Sequence, residues 1–156
     1  NLTKEITARG IDPNRLILGK RLSKSEYLAR YRVADLFLDT HPYNAGTTAS
    51  DALRMGLPVL TSLGSSAVSR HAASVITALN LPELITTTKE EYESLAIELA
   101  TDPEKLKIIK DKLVSNLPTA PLYDTPLFTR HLESAYSMMY DRYHQGLDPD
   151  HIYVKH

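Results

Sequence analysis

"DLFLDTHPYNAGTTASDAL" (residues 35–53) is the stretch whose reading decides the fold. Leu36, Phe37 and Leu38 form an apolar, strand-like run between two aspartates. The chain then passes through a Pro/Asn/Gly turn and opens a helix at Thr47 and Thr48, with Asp51 one turn further on. Strand, turn and helix start in that order suit a parallel α/β sheet, where ligands sit beyond the carboxyl ends of the strands. A helix start offers unpaired amides and about half a positive charge. Gly46 lets a ligand approach the backbone closely. Asp51 shares a helix face with Thr47, about 6 Å further along the axis. Its carboxylate suits ribose hydroxyls better than phosphates, which it would repel. The plainer reading makes the threonines helix caps and Asp51 a solvated charge. The stretch lacks the Gly-Lys-Ser/Thr of a P-loop and the G-x-G-x-x-G of a dinucleotide-binding turn.

Working outward, residues 1–9 read as a helix stopped by Gly10. "RLILG" (15–19), "DLFLD" (35–39), "PVLTS" (58–62) and "ELIT" (83–86) are strand candidates. "SKSE" (23–26) and "TKEE" (88–91) are capping boxes that open helices to about Ala34 and Ala100. A helix from Thr47 ends at Gly56, and another spans 67–79 with Ser66 as its cap. Asp102 and Pro103 open a further helix. "NLPTAPLYDTP" (116–126) reads as an extended connection, followed by one long helix over 126–145, ended by Gly146. Strands alternating with helices imply a Rossmann-like parallel sheet with helices on both faces. Four strands are few for a complete doubly wound domain, and the chain opens without Met, so a missing N-terminal part is expected.

The 156 residues allow one sizeable core. A formal net charge of −1 gives no electrostatic case for a nucleic-acid or membrane partner. Cys is absent, which excludes disulfides and thiolate chemistry and agrees with a cytoplasmic location. No apolar run approaches the roughly 18 residues of a membrane span.

The stretch "ADLFLDTHPYNAGTTASDALRMGLPVLT" resembles the donor-binding half of the O-GlcNAc transferase-like glycosyltransferases, which include the plant Spindly proteins and many bacterial homologues. The likeness continues in "SRHAAS" (69–74), "TKEEYESLAIELATD" (88–102) and "PDHI" (149–152). It implies the C-terminal lobe of a GT-B enzyme, two Rossmann-like lobes with the active site between them. Residues 1–125 would be the nucleotide-sugar-binding lobe, truncated at its N-terminus, and 126–156 a helix and tail crossing back to the other lobe. Tetratricopeptide repeats and an acceptor lobe are expected upstream.

The resemblance also implies roles for individual residues. Thr47 and Thr48 match the positions that cradle the diphosphate, and Asp51 the acidic residue toward the ribose. Lys24 matches a lysine near the diphosphate, where it would stabilise the leaving group. Tyr27 and Arg30 match positions beside the uracil. Tyr43 and Gly46 stand where animal members carry Cys and His near the donor sugar, and Asn44 belongs to the same "YN-G-TT" pattern. GlcNAc is the first choice of sugar, with glucose and fucose open. The reaction implied is sugar transfer from a UDP-sugar to a protein Ser or Thr hydroxyl, with no metal or other cofactor, and with the acceptor held by the missing lobe. No catalytic acid or base is assigned to this stretch.

Other features read more plainly. "DPD" (148–150) mimics a metal-binding D-x-D but lies in a tail. His41 is the one histidine of the site loop, next to Pro42. Arg70 is expected to pair with a carboxylate. Phe128, Leu132, Ala135, Tyr136, Met139 and Tyr143 form a stripe at helical spacing, and an uncovered part of it predicts self-association. Beside the transferase reading stand a non-catalytic nucleotide-binding module and another two-lobed enzyme such as a sugar-nucleotide epimerase.

Overall fold

The computed structural model describes residues 1–155, so residue 156 of the expected C-terminal segment lies outside the described residues. In chain order the elements are α1 (Leu2–Ala8), α2 (Lys24–Arg30), β1 (Phe37–Leu38), α3 (Thr47–Arg54), β2 (Val59–Ser62), α4 (His71–Ala78), β3 (Ile85–Thr86), α5 (Lys89–Thr101), α6 (Pro103–Asn116) and α7 (Thr125–His144). The three strands form a parallel sheet in the order β1-β2-β3.

Strand β2 is central because its two halves serve different neighbours. Val59 and Leu60 pair with Phe37 and Leu38, while Thr61 and Ser62 pair with Ile85 and Thr86. Val59, Leu60 and Thr61 are fully buried, as a parallel strand covered on both faces requires. Thr61 is tolerated there because its hydroxyl donates to Asp39 Oδ2 (2.7 Å) and its carbonyl accepts from Thr86 Oγ1 (2.9 Å). Helices α3, α4 and α5 all pack on β2. Helix α3 does so through Ala49, Ala52 and Leu53, the i, i+3, i+4 face. The two alanines let the helix lie close to the sheet, and Leu53 supplies bulk. Ala72, Ala73 and Ile76 of α4, Leu99 of α5, and Ile109 and Leu113 of α6 complete the core.

Three expectations are corrected. Residues 15–19 form no strand: a 3-10 turn covers Pro13–Arg15 and the rest is irregular, with Ile17 88% exposed. A strand needs a neighbouring ladder for its amides and carbonyls, and among the described residues none lies beside this run. The expected helix over 67–79 begins as a 3-10 turn (Ala67–Arg70), capped by Ser66, before α4. Residues 116–126 are not extended: they hold two 3-10 turns, Leu117–Thr119 and Pro121–Tyr123, each with a proline in its opening positions. The fixed φ of proline serves a tight turn as well as an extended strand. Tyr123 anchors this strap by donating to Ser50 O of α3 (2.8 Å).

Helix α7 has no buried residue, and Phe128, Leu132, Tyr136, Met139 and Tyr143 are all exposed. At its end, Arg142 Nε donates to the Asp148 carbonyl, and Arg142 Nη2 lies 3.5 Å from the Asp150 carboxylate. The "DPD" segment thus clamps the tail to the helix.

Candidate functional site

The site is built on the loop between β1 and α3, and Asp39 fixes that loop. Asp39 closes β1, is only 6% exposed, and every polar arm of it is engaged. Its Oδ1 accepts from the backbone amides of Thr40 and Ala45 (both 2.8 Å), and its Oδ2 accepts from Thr61 on β2. Its carbonyl accepts from the Tyr92 hydroxyl of α5 (2.8 Å). Hydrogen bonds to an ionised carboxylate are roughly twice as strong as neutral ones. Within the loop, Thr40 Oγ1 donates to the Tyr43 carbonyl (2.7 Å) and Asn44 Nδ2 to the Thr40 carbonyl (2.8 Å). The Asn44 amide donates to the Val68 carbonyl (3.1 Å), tying the loop to the turn before α4. Asn44 is therefore an internal brace, 1% exposed, with its Oδ1 buried and unpartnered among the described residues. Tyr43, by contrast, is 69% exposed at the loop surface.

The loop delivers the start of α3. Gly46 is the N-cap and provides no side-chain hydrogen bond. The first helical bond runs from Ser50 N to Gly46 O (3.1 Å), so the amides before it have no helical acceptor. Thr47 and Thr48 are the first two helical residues rather than caps. Both are exposed, and among the described residues neither hydroxyl has a hydrogen-bond partner. Tyr43, Asn44, Gly46 and Thr48 share a shallow depression of about 310 Å³ with β1.

Helix α2 closes one side. Its capping box, Ser23 with Glu26, fixes where it begins and hence where Lys24 stands. Lys24 Nζ lies 2.9 Å from Asp51 Oδ2. Lys24 Nζ and Arg30 Cζ lie 5.4 and 5.3 Å from the centre of the Tyr27 ring. The Tyr27 and Tyr31 hydroxyls share a hydrogen bond, and their rings meet edge-to-face at 5.2 Å. Tyr31 also donates to the Thr48 carbonyl at 3.4 Å. Burial, helped by the bond to Tyr27, pushes the Tyr31 phenol well above its ordinary range. It stays a protonated donor that ties α2 to the first turn of α3.

The structure thus brings the sequence-selected residues together in two groups. Lys24, Tyr27, Arg30 and Asp51 form a cationic and aromatic flank. Gly46, Thr47 and Thr48 form an open helix start beside Tyr43. Asp39 and Tyr92 brace the loop of the candidate site, and sequence reading missed both. An acidic residue ending an apolar strand was the only local signal for Asp39. Tyr92 reaches Asp39 across 53 positions, which no local pattern reports.

Neighbouring features differ from expectation. Arg70 bonds the Gly64 carbonyl (3.2 Å) instead of a carboxylate. His41 points to the far side of the loop, against Gly64, where a Cβ would lie 3.1 Å from its Cε1. There it lines a cavity of about 430 Å³ with Ser62, Thr87, Lys89 and Tyr92. Another concavity, of about 600 Å³, is lined by Asp35, Leu36, Lys107 and Lys110. It lies at the amino end of β1, the wrong end of a parallel sheet for a ligand. Among the described residues, no three His, Asp or Glu side chains converge as metal ligands would. No helix among them is long and apolar enough to cross a membrane.

Comparison with known proteins places the chain in a family. The family profile described as Glycosyl transferase family 41 matches residues 1–132. The chain is 34% identical over 152 residues to the UDP-N-acetylglucosamine–peptide N-acetylglucosaminyltransferase of Caenorhabditis elegans, covering 97% of this chain and 13% of that protein. It is 37% identical to a SPINDLY protein of Hordeum vulgare, covering 80% of this chain and again 13% of the relative. Among solved structures, a mutant of the Thermobaculum terrenum O-GlcNAc transferase superposes with a TM-score of 0.81 at 34% identity, over 89% of this chain and 27% of that one. The chain therefore spans only a small part of the length of these relatives.

Proposed function

The chain belongs to glycosyl transferase family 41, and from that premise we propose that it forms the donor-binding part of an enzyme moving GlcNAc from UDP-GlcNAc to Ser or Thr hydroxyls of proteins. The observation that carries this reading is the start of α3, with unpartnered Thr47 and Thr48 hydroxyls beside Lys24 and Asp51. The diphosphate lies on the first-turn amides and the two hydroxyls. The ribose meets Asp51, and the uracil meets Tyr27 and Arg30. A ribose hydroxyl competes with Lys24 for Asp51, which frees the ammonium to turn toward the phosphates.

In the transfer, the bond from the sugar's anomeric carbon to the diphosphate oxygen breaks and the acceptor oxygen bonds to that carbon. Negative charge grows on the departing diphosphate. The first-turn amides stabilise it where it appears without rearranging, joined by the two hydroxyls and by Lys24 once its ammonium has turned from Asp51. The group that takes the acceptor's proton belongs to another part of the enzyme, as does the acceptor site. Residues 1–125 are the nucleotide-sugar lobe, and 126–156 carry α7 toward the other lobe. The exposure of its aromatic stripe, with Tyr143 at 76%, supports that role. The donor needs no metal in this scheme, and the cytoplasm is the proposed compartment. The isolated stretch binds nucleotide weakly and transfers no sugar alone.

Calorimetry with UDP on the wild type and on Asp51→Ala tests the assignment. The variant should bind about tenfold more weakly, as for loss of hydrogen bonds to a charged group. Equal binding by both proteins would remove Asp51 from the ribose, and no binding by either would sink the donor-site reading.

A further inference from the structure

The first residue of α4 faces the start of α3. A Cβ built on Gly46 would lie 3.8 Å from His71 Nδ1. The imidazole therefore borders the space that the missing side chain at position 46 leaves open. His71 is exposed, and among the described residues it has no hydrogen bond, ion pair or ring partner. The fold gives it no evident structural task. A histidine also gains nothing from the start of a helix, where the dipole favours anions rather than cations.

Its position relative to the flank decides what it would meet. Helix α2 reaches α3 at Asp51. Gly46 is five positions before Asp51, so at about 100° per residue it points about 140° away around the axis. A ligand with its nucleoside against Asp51 and Tyr27 and its diphosphate on the first turn extends its remaining end toward Gly46. For a nucleotide sugar that end is the sugar.

We propose that His71 is a specificity-determining residue for the donor sugar, hydrogen-bonding a ring hydroxyl or the acetamido group from α4. Gly46 is the complementary half of the device, because a larger residue there would separate the imidazole from the sugar. The inference rests on the donor-site reading above. Both imidazole nitrogens are available, one to donate and one to accept, so the group suits a sugar face rich in hydroxyls.

The test compares UDP with UDP-GlcNAc by calorimetry on wild type, His71→Ala and His71→Gln. His71→Ala should weaken UDP-GlcNAc by about fivefold and leave UDP within about twofold, the loss of one neutral hydrogen bond. His71→Gln, which keeps a donor and an acceptor, should recover part of the loss. An unchanged ratio of the two affinities in His71→Ala would overturn the proposal. So would an equal loss for both ligands, which would put His71 on the diphosphate. Failure of the wild type to bind UDP at all would instead strike the donor-site reading, so the two failures are distinguishable.

Discussion

Helices α3 and α5 both begin beyond the carboxyl end of a strand, yet they treat their free amides in opposite ways. Helix α5 satisfies two of them with its own side chains. The Thr88 hydroxyl accepts from the Glu91 amide, and the Glu91 carboxylate accepts from the amides of Thr87 and Thr88. Helix α3 begins at a glycine that caps nothing, and its two threonine hydroxyls are left outside. Helices α2, α6 and α7 follow α5, capped by Ser23, Asp102 and Asp124. A glycine at the N-cap gives up only about a few tenths of a kcal/mol against a Ser, Thr, Asn or Asp cap. Helices α1 and α4 also lack a side-chain cap; what sets α3 apart is that its open start is braced by Asp39 and flanked by Lys24. The contrast separates a helix start closed by its own side chains from one left open, which the proposed function assigns to the donor.

The contrast breaks most visibly if the threonines are removed. Thr47→Ala with Thr48→Ala should weaken UDP binding by roughly 2 kcal/mol, the scale of hydrogen bonds to a charged group. The melting temperature should hardly move, since neither hydroxyl bonds to the protein. Calorimetry and thermal melting together decide. A large fall in melting temperature with intact affinity would make α3 an ordinary helix.

Thr88→Ala is the converse. It should cost about 1 kcal/mol of stability, read by urea unfolding, and leave the UDP affinity alone. A matching loss of affinity would mean that the two helix starts are not independent.

The smallest effect is in the acid limb. Hydrogen bonds from Thr87 hold the Glu91 carboxyl below its ordinary range. A lowered folded pKa contributes stability that is fully present above the unfolded value, about 4.3, and lost as the pH falls through the folded value. The melting-temperature gap between wild type and Glu91→Gln should therefore be open at neutral pH and close progressively below about pH 4. A gap that widens on acidification would reverse the assignment. Glu91 is fully exposed, so the gap is small at any pH.

Much of the contrast was legible in the sequence, because capping is local. Ser23 with Glu26 and Thr88 with Glu91 announce their helices within four residues, and both boxes are formed. Gly10 and Gly146 stand just past the ends of α1 and α7 at positive φ, where a residue without Cβ is favoured. The run 58–62 read as a strand and forms β2, Val59–Ser62; its central place comes from the fold. What stayed hidden depends on partners distant in sequence. Residues 15–19 have a strand's composition but no ladder beside them. Asp39 reads as the polar end of a strand, and only the fold brings Thr61 and Tyr92 to it. Gly46 and His71 lie 25 positions apart, and no periodicity connects them.

The bracing of the β1–α3 loop has a kinetic consequence. Asp39, Thr40 and Asn44 hold the backbone in one arrangement before any ligand arrives. Ordering a residue costs about 1–2 kcal/mol of backbone entropy, and here that term belongs to folding rather than to association. On the proposed donor-site reading, a nucleotide therefore meets a finished surface and need not wait for this loop to order. Encounter is then set by diffusion and by the cations of α2, and differences among ligands should appear in how long each one stays.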